Sequence, residues 1–405
     1  VFDGNGLRAI HVFNAATNLS LSNVTIRNGG PDTGFGGGAL RVTGGATVTV
    51  IGGVFEDNQA EYGGAVHNNG STVNIRESVF TGNEATAGEG GAVLTVNGGI
   101  TNLTRTTIDG NTASAAGGGL AVADNASQLN FIASTISHNA VLTPSQTVSN
   151  LATGSSTISC GNGPLGQTFT ADASALTSFE FDIRLVGPSG DLSVIPNDLN
   201  ILGQVRQGGP GGRIIASAHA FAPGGVWPGS STQTLTFRLD RTVALVPNEI
   251  YAIESFISGG YSIFQSSGDD YAGGERYSCD GTLIPGNDLT FRTFGGNPGP
   301  GGGIHVSGSS SAGLFNSTLS GNIGDGAVAT SGGIVTTLFS TITANSGNGL
   351  TAITPGLVFM TASITAANAG NDCDGNTTSS GHNLIGDDTN CIFTPTTGDL
   401  FGTTI

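Results

Sequence analysis

The chain repeats itself, and this repetition limits what it can fold into. The string GNGLRAI at residues 4–10 returns as GNGLTAI at residues 347–353, with Thr351 in place of Arg8. Other segments share a second form, in which an apolar residue stands three positions before an Asn: VFEDN, VFTGN, TIDGN, TISHN, TLSGN and TITAN. Internal repetition of this kind indicates a solenoid, in which each repeat packs on its neighbours.

The period and the residue types favour a parallel β-helix. The Gly-rich corners of the repeat recur about every 23–28 residues, a range that leucine-rich repeats also occupy. The Leu-x-x-Leu-x-Leu framework of those proteins is missing here. Short β-branched runs such as ATVTV, STVNI and SQLNFI come before the motif instead. Several short strands per coil, joined by tight bends, predict an all-β chain and a right-handed parallel β-helix.

Equivalent positions of successive coils should stack into columns, because parallel strands lie side by side in register. We therefore expect the apolar position of the motif, represented by Phe55, Phe80 and Ile108, to form one buried column. The recurrent Asn is predicted to be a bend residue, because Asn tolerates positive φ. Its amide can also hydrogen-bond to the Asn above and below, as stacked Asn residues do in cross-β structures.

One long segment interrupts the repeat, which stops after Asn139 and resumes at GPGGGIHV. This segment holds the only Trp and every Tyr except Tyr62. Its alternating runs, among them SFEFDIRLVG and TLTFRLD, predict antiparallel strands. The expected domains are a first β-helix part at 1–140, an inserted antiparallel β-sandwich at 141–297, and a second β-helix part at 298–405.

Two resemblances indicate an exported protein. In the insert, GQTFTA, NEIYAIES, DDYAGGERY and DLTFRTFG resemble jelly-roll modules of secreted bacterial proteins, which are often carbohydrate-binding or adhesive units. The segment NDCDGNTTSSGHNLIGDDTNC, with the GDLFGT that follows, is similar to the end of bacterial surface β-helix proteins. The coils also resemble polymorphic outer-membrane adhesins. These resemblances imply an extracellular or cell-surface location and a structural or adhesive role.

Charge and cysteine content exclude several classes of protein. All 12 basic residues are Arg and the net charge is −17, so no basic face is available to neutralise the phosphates of a nucleic acid. No segment approaches the ~18 continuous apolar residues of a membrane span. The four Cys form no CxxC pair, and their distribution suggests the disulfides Cys160–Cys279 and Cys373–Cys391 of an oxidising compartment.

A carbohydrate-active enzyme, either a polysaccharide lyase or a glycoside hydrolase, is the main alternative, because parallel β-helices also host such enzymes. Glycoside hydrolysis needs two carboxylates about 5–10 Å apart, and the acidic residues here fall at different points of successive repeats. Glu84 and Glu89 are the best pair, and a solvated turn also explains them. We expect His67 and His305, which follow Gly-Gly corners, to be exposed strand residues. No catalytic residue is predicted. Ice binding, which needs a regular face of Thr, is disfavoured by the uneven coil lengths.

The candidate binding residues lie in the insert. Trp227, Tyr261 and Tyr271 can stack on sugar rings, with the core or rim of the sandwich as the alternative interpretation. Asp269 and Asp270 can offer hard oxygen ligands to calcium, with a plain polar turn as the alternative. A polysaccharide or a cell-surface glycan is the expected partner, and calcium is the one cofactor considered.

Both ends of the chain carry apolar strands without a cap, VFDGNGLRAIHVF at the start and DLFGTTI at the finish. An unpaired solenoid edge can template another copy. End-to-end association into a filament is therefore expected, with a cut from a longer protein as the alternative explanation.

Overall fold

A computed structural model describes most of the chain. The described residues are 1–30, 36–142, 145–151, 156–158, 164–187, 190–191, 194–195, 199–222, 225–226, 233–256, 261–266, 270–277 and 279–402. They form strands, turns and bends, and none of them is helical; accordingly, this part of the chain has no helix long and apolar enough to cross a membrane. The chain divides into two compact units, one of Val1–Thr143 with Pro298–Ile405 and one of Pro144–Asn297.

The first unit is a parallel β-helix, which confirms the fold predicted from the repeat. Each full coil contributes one strand to each of three faces, which we call sheets 1, 2 and 3. Sheet 1 has 11 strands. They are Phe2–Asp3, Thr25–Arg27, Val54–Glu56, Val79–Thr81, Thr107–Asp109, Thr135–Ser137, Thr318–Ser320, Thr341–Thr343, Ile364–Ala366, Leu384–Ile385 and Leu400–Phe401.

Sheets 2 and 3 are joined into one 18-stranded sheet, because Cys373–Ser379 pairs with a strand of each. Sheet 2 comprises Ile10–Phe13, Leu40–Thr43, Val66–Asn69, Val93–Val96, Leu120–Val122, Ile304–Val306, Ala327–Ala329, Leu350–Ala352, Cys373–Ser379 and Asn390–Ile392. Sheet 3 comprises Asn18–Ser22, Thr47–Ile51, Thr72–Arg76, Ile100–Thr104, Gln128–Ile132, Ser311–Phe315, Ile334–Leu338 and Leu357–Thr361. A short four-stranded sheet completes the coils at Gln59–Ala60, Glu84–Ala85, Thr112–Ala113 and Ala140–Val141.

The coils continue in register across the interruption of the repeat. Leu120–Val122 pairs directly with Ile304–Val306, and Gln128–Ile132 pairs with Ser311–Phe315. Parallel pairing therefore does not depend on closeness in sequence, because each coil needs only a neighbour whose strands match its own. GNGLRAI and GNGLTAI both border strands of sheet 2, but they do not occupy equivalent positions. Along the register of this sheet, Ile10, the last residue of GNGLRAI, corresponds to Leu350, the fourth residue of GNGLTAI.

The apolar position of the motif forms the predicted column. Phe80 is paired in register with Phe55 on one side and Ile108 on the other. The two Phe rings are stacked, with centroids 4.3 Å apart and planes 4° from parallel. All three side chains belong to the core that runs through the first unit.

The recurrent Asn residues form a buried ladder. The backbone N–H and the side-chain amide of one Asn both donate to Oδ1 of the Asn one coil further along, at 2.8–3.1 Å. The ladder contains Asn58, Asn83, Asn111, Asn139, Asn322, Asn345 and Asn368. It ends on a carboxylate, because Asn368 donates to Oδ1 of Asp372 through its N–H at 3.0 Å and its amide at 2.7 Å.

The prediction that the Asn itself supplies the positive φ of the bend is wrong. The left-handed residue is the one before it, as at Asp57 (φ 52°), Gly82 (φ 64°) and His138 (φ 53°). The bend therefore depends on the preceding residue, and this leaves the Asn side chain free to turn into the coil.

A second ladder, which sequence reasoning missed, follows the bend between sheets 3 and 1. Successive residues donate their backbone N–H to a hydroxyl of the next coil, as Ser317 does to Ser340 and Ser340 does to Ser363, each at 3.2 Å. Ser363 N–H donates to Asn383 Oδ1 at 2.9 Å, and Asn383 N–H donates to Asp399 Oδ1 at 2.9 Å. This ladder also ends on a carboxylate. A disulfide links Cys373 to Cys391 in the same region.

The second unit is antiparallel, as the alternating runs predict. Its described strands form a 13-stranded sheet and a two-stranded one. Their bounds are Ser145–Asn150, Ser156–Ile158, Pro164–Thr170, Ala175–Gly187, Gly190–Asp191, Val194–Ile195, Leu199–Gln207, Arg213–Ala222, Gly225–Val226, Gln233–Ala244, Ile250–Phe256, Tyr261–Ser266, Arg276–Tyr277, Asp288–Leu289 and Phe291–Gly296. The unit has a hydrophobic core of its own, with Phe179 and Phe237 stacked at a centroid distance of 4.8 Å. The predicted Cys160–Cys279 disulfide involves Cys160, which lies outside the described residues.

Candidate functional site

The outward side of sheet 2 carries the polar residues that the fold brings together. Side chains alternate between the two faces of a strand, so the residue between two core positions points away from the core. In successive coils this column reads His67, Leu94, Ala121 and, beyond the interruption, His305. Val328, Thr351 and Asp374 continue it.

The two histidines of this column are buried, so the expectation that they are exposed is wrong. His67 is 9% exposed and His305 is 6% exposed. Burial, with the charges of Arg41 and Arg8 beside it, lowers the pKa of His67 to about 4. His67 is therefore neutral at physiological pH, next to two guanidinium groups. No sequence pattern indicated this burial, because the Gly-Gly corner before each His does not reveal what covers the strand.

A carboxylate cluster lies in three consecutive coils at the far end of the same column. Asp325 Oδ1 accepts the backbone N–H of Asn348 at 2.7 Å, and its Oδ2 accepts the hydroxyl of Thr351 at 3.0 Å. The amide of Asn348 donates to Thr351 Oγ1 at 3.2 Å and to Asp374 Oδ2 at 3.3 Å. One amide and one hydroxyl thus connect two carboxylates from different coils.

The GNGLTAI string supplies the centre of this cluster. Asn348 and Thr351 belong to it, and the two Gly residues beside Asn348 keep the corner narrow. A Cβ at Gly347 would collide with Oδ1 of Asp325. Glycine at this position therefore gives the carboxylate access to the backbone of the next coil.

The environment of Asp325 favours its protonated form. Burial raises the pKa of Asp325, and the nearby charge of Asp374 raises it further, against the hydrogen bonds from Asn348 and Thr351 that lower it. A carboxyl group whose pKa is raised, beside a second carboxylate, is an arrangement that suits general acid catalysis. The contacts that connect the two carboxylates also limit their separation to roughly 10 Å or less, within the range used in glycoside hydrolysis.

Sequence reasoning missed this pair, since it found no acidic residues aligned on the repeat Asn. Asp325 and Asp374 occupy different positions of the coil, one at the corner and one in the strand, and only the fold brings them to the same amide. A usable signal was present in the spacing, since Asp325 precedes Asn348 by 23 residues and Asp374 follows it by 26, each close to one coil.

The acidic pair proposed from sequence, Glu84 and Glu89, takes part in different interactions. Glu84 accepts a hydrogen bond from the side chain of Gln59 at 2.9 Å. Glu89 Oε1 lies 3.5 Å from Nδ1 of His305. Each carboxylate thus has its own partner, Gln59 in the adjacent coil for Glu84 and His305 two coils away for Glu89.

The predicted glycan-binding residues are described only in part. Trp227 and the side chain of Tyr261 lie outside the described residues. Tyr271 is half-buried, and its ring stands edge-on to Phe291 at a centroid distance of 5.3 Å. Its hydroxyl accepts the N–H of Thr170 at 3.1 Å. Tyr271 thus packs against the core of the second unit, and the glycan-binding role of the three aromatic residues stays a prediction.

One of the two predicted calcium ligands, Asp270, lies beside a buried carboxylate. Asp269 lies outside the described residues, and Asp270 is exposed. The backbone N–H groups of Asp270 and Tyr271 donate to Oδ2 of Asp288 at 3.0 and 2.9 Å. Burial raises the pKa of Asp288, against these hydrogen bonds and one from Gln167. Within the described ranges no three His, Cys, Asp or Glu residues are grouped to hold a metal ion, and calcium binding stays a prediction.

Comparison with known proteins gives distant structural similarities. The chain is similar to the enzymatically active domain of tailspike protein 4 of bacteriophage CBA120, at 10% identity and a TM-score of 0.16, over 63% of this chain and 44% of that one. It is also similar to a tailspike protein of Acinetobacter baumannii phage AM24, at 10% identity and a TM-score of 0.10, over 70% of this chain and 55% of that one. The chain thus spans about half the length of these two proteins. The sequence matches no protein-family model and no curated protein.

Proposed function

We propose that this chain is an extracellular structural and adhesive protein, in which the parallel β-helix is a stable shaft and the antiparallel unit a binding module. The observation that carries the proposal is the buried ladder from Asn58 to Asn368. In its interior, each amide accepts from one coil and donates to the next, so the most frequent polar residue of the repeat holds the coils together. A repeat built in this way maintains a shape and leaves its recurrent polar groups no part in chemistry.

Two further observations support the location. The Cys373–Cys391 disulfide is typical of an oxidising compartment, since cytosolic thiols are kept reduced. The net charge of −17 without any Lys suits a surface that does not adhere to nucleic acid or to anionic lipid.

The partner we propose is a neutral glycan. A chain with 29 acidic and 12 basic residues repels polysaccharides rich in uronate or sulfate, because like charges across an interface oppose binding. Neutral sugars avoid this repulsion and offer apolar ring faces to aromatic side chains.

The test is glycan-array binding by the purified full chain, followed by a reducing-end assay on any glycan that retains it. We expect retention on neutral glycans without the appearance of new reducing ends. Retention only on acidic glycans, or on no glycan at all, would contradict the adhesive role.

A second candidate function, glycoside hydrolysis, is favoured by the carboxylate cluster. The raised pKa of Asp325 suits a general acid, and Asp374 would be the nucleophile or base. If a polysaccharide is cleaved, we expect Asp325→Asn and Asp374→Asn each to lower the rate at least about 100-fold. Asp387→Asn is the matched control, because Asp387 is exposed and its carboxylate accepts from Thr389 two positions away. Loss of activity in the control as well would contradict the assignment.

A further inference from the structure

A hydroxyl, an imidazole and a carboxylate are in successive contact on the outward side of sheet 2. None of them belongs to the carboxylate cluster. Nε2 of His305 lies 3.1 Å from Oγ1 of Thr330. Nδ1 of the same ring lies 3.5 Å from Oε1 of Glu89. His305 is in the strand Ile304–Val306, Thr330 directly follows the strand Ala327–Ala329, and Glu89 comes just before a Gly-Gly corner. Three coils thus place a nucleophile, a base and a carboxylate in the order that acyl transfer uses.

The imidazole is held in a dry place. His305 is 6% exposed and lies in register between Ala121 and Val328, both apolar and buried. Its Nδ1 makes no hydrogen bond in the described part of the chain, so the Glu89 carboxylate is the group that faces it. A carboxylate close to one ring nitrogen favours the proton there and leaves the other nitrogen able to accept the proton of a hydroxyl.

The backbone after Thr330 offers two hydrogen-bond donors. Ser331 and Gly332 both have positive φ, 51° and 90°. Neither N–H is used in a hydrogen bond to another described residue. Free N–H groups directly after a nucleophile are a common source of the donors that stabilise the oxyanion of an acyl-transfer intermediate.

The repeat also provides a comparison. His11 and Thr43 have the same register as His305 and Thr330, and their contact of 3.3 Å is similar. That pair is exposed, and its ring lies beside Phe13 at a centroid distance of 5.5 Å. The repeat alone therefore explains a His–Thr contact. His305 differs from His11 because it is buried and lies beside the carboxylate of Glu89.

We propose that Thr330, His305 and Glu89 form an acyl-transfer site that hydrolyses short-chain acyl esters. Oγ1 of Thr330 attacks the ester carbonyl carbon while its proton passes to Nε2 of His305. The bond from that carbon to the alcohol oxygen breaks, and the leaving alcohol takes the proton from Nε2. A water molecule then attacks the acyl-threonine in the same way, which releases the carboxylic acid and restores the Thr330 hydroxyl.

The surroundings favour a short, neutral substrate. Leu94, Val96, Ala121 and Ala123 form a small apolar cluster on the outward side of the neighbouring coils. Ala121 is directly beside His305 in register, so the residue next to the imidazole on that side is apolar and uncharged. The site uses none of the residues of the carboxylate cluster, so this activity does not depend on the proposed glycan binding or on glycoside hydrolysis.

The test uses the purified full chain with p-nitrophenyl acetate as the probe. We expect saturable hydrolysis that falls at least about 100-fold in Thr330→Val and in His305→Asn, and that survives within about tenfold in Thr330→Ser. Glu89→Gln should lower the rate and change its pH profile, because the carboxylate acts through His305. Thr43→Val, in the exposed pair of the same register, should keep the rate of the unchanged chain.

Two controls keep the result decisive. The thermal midpoint of each variant shows whether it is folded, and intact-protein mass spectrometry of the unchanged chain shows whether one acetyl group is carried on Thr330 during turnover. Hydrolysis no faster in the unchanged chain than in Thr330→Val would overturn the proposal. An equal loss in Thr43→Val, or an acetyl group on another residue, would also overturn it.

Discussion

At the scale of single residues, Asn111 shows how one side chain holds several coils together. Its Oδ1 accepts from the backbone N–H and the amide of Asn83, at 3.0 and 2.8 Å. Its own amide donates to Asn139 Oδ1 at 2.9 Å and to the carbonyl of Phe80 at 3.1 Å. The residue is fully buried, so no water can replace these partners. A small polar side chain is therefore as important to this core as the apolar columns.

We predict that Asn111→Ala lowers the free energy of unfolding by about 3 kcal/mol or more, because buried donors left without a partner cost about 1–3 kcal/mol each. The measurement is the denaturation midpoint in urea. Asn130→Ala is the matched control, because its amide also bonds to an Asn of a neighbouring coil, at 2.8 Å, but from a half-buried outward position. Similar losses in the two variants would show that ladder burial is not what stabilises the coils.

The stacked column predicts a second residue-scale effect. Phe80→Ala should lower the free energy of unfolding by about 3–5 kcal/mol, since it leaves a cavity beside Phe55 that the rigid coils cannot close. Val79→Ala, on the outward side of the same strand and 38% exposed, should cost less than ~1 kcal/mol. An unchanged urea midpoint in Phe80→Ala would contradict the column.

At the scale of elements, the bends and their ladders determine the shape of each coil. A residue with positive φ makes each turn. The residue after it donates a hydrogen bond to the next coil, through its side-chain amide or its backbone N–H. Both ladders donate in one direction along the solenoid and end on carboxylates, Asp372 and Asp399. Charged acceptors form stronger hydrogen bonds than neutral ones, so these two side chains stabilise the last coils.

Because the second ladder ends on the carboxylate of Asp399, we expect acid to lower the stability of the last coils. Burial opposes the ionisation of Asp399, but hydrogen bonds from Ser379, Thr396 and Asn383 outweigh it and lower the pKa. A lowered folded-state pKa contributes stability above the unfolded value of about 3.9, and this contribution is lost as pH falls through the folded value. The protection factors of the backbone amides in the last coils, each corrected for the intrinsic exchange rate at that pH, should therefore fall below about pH 4.

In Asp399→Asn these coils should already exchange faster at neutral pH, and the acid effect should shrink. Asp388→Asn is the control, since no side-chain hydrogen bond of Asp388 is present among the described residues. Equal acid sensitivity in the unchanged chain and in Asp399→Asn would contradict the role of the cap.

The sequence predicted the elements better than the contacts between them. The parallel coils, the antiparallel second unit and the Phe column followed from period and alternation, because both are properties of neighbouring residues along the chain. The second ladder, between sheets 3 and 1, was missed because Ser340 and Ser363 look like ordinary loop residues in a chain rich in Ser. The Asp325–Asp374 pair was missed because it joins different positions of different coils, and only the register of the sheets brings them to one amide.

At the scale of the whole molecule, two compact units with separate hydrophobic cores form the chain. The strands of the β-helix pair across the interruption without help from the second unit. Their stability should therefore not depend on the residues between them.

Replacing 144–297 with a short Gly-rich turn should leave the β-helix folded, since a surface loop can be shortened or lengthened at little cost when its ends are close. Far-UV circular dichroism and the thermal midpoint of the shortened chain give the measurement. A shortened chain without a cooperative β-sheet transition would show that the coils need the second unit.

We infer that the solenoid is one continuous, rigid scaffold held together by its buried amide ladder. Native-state hydrogen exchange tests it most directly, because the backbone N–H groups of Asn58, Asn83, Asn111, Asn139, Asn322 and Asn345 are themselves ladder donors. We predict that these six amides exchange together, slowly, and only through global unfolding. Fast exchange of Asn139 and Asn322 at the interruption, while the others stay protected, would show two independent stacks and contradict the claim.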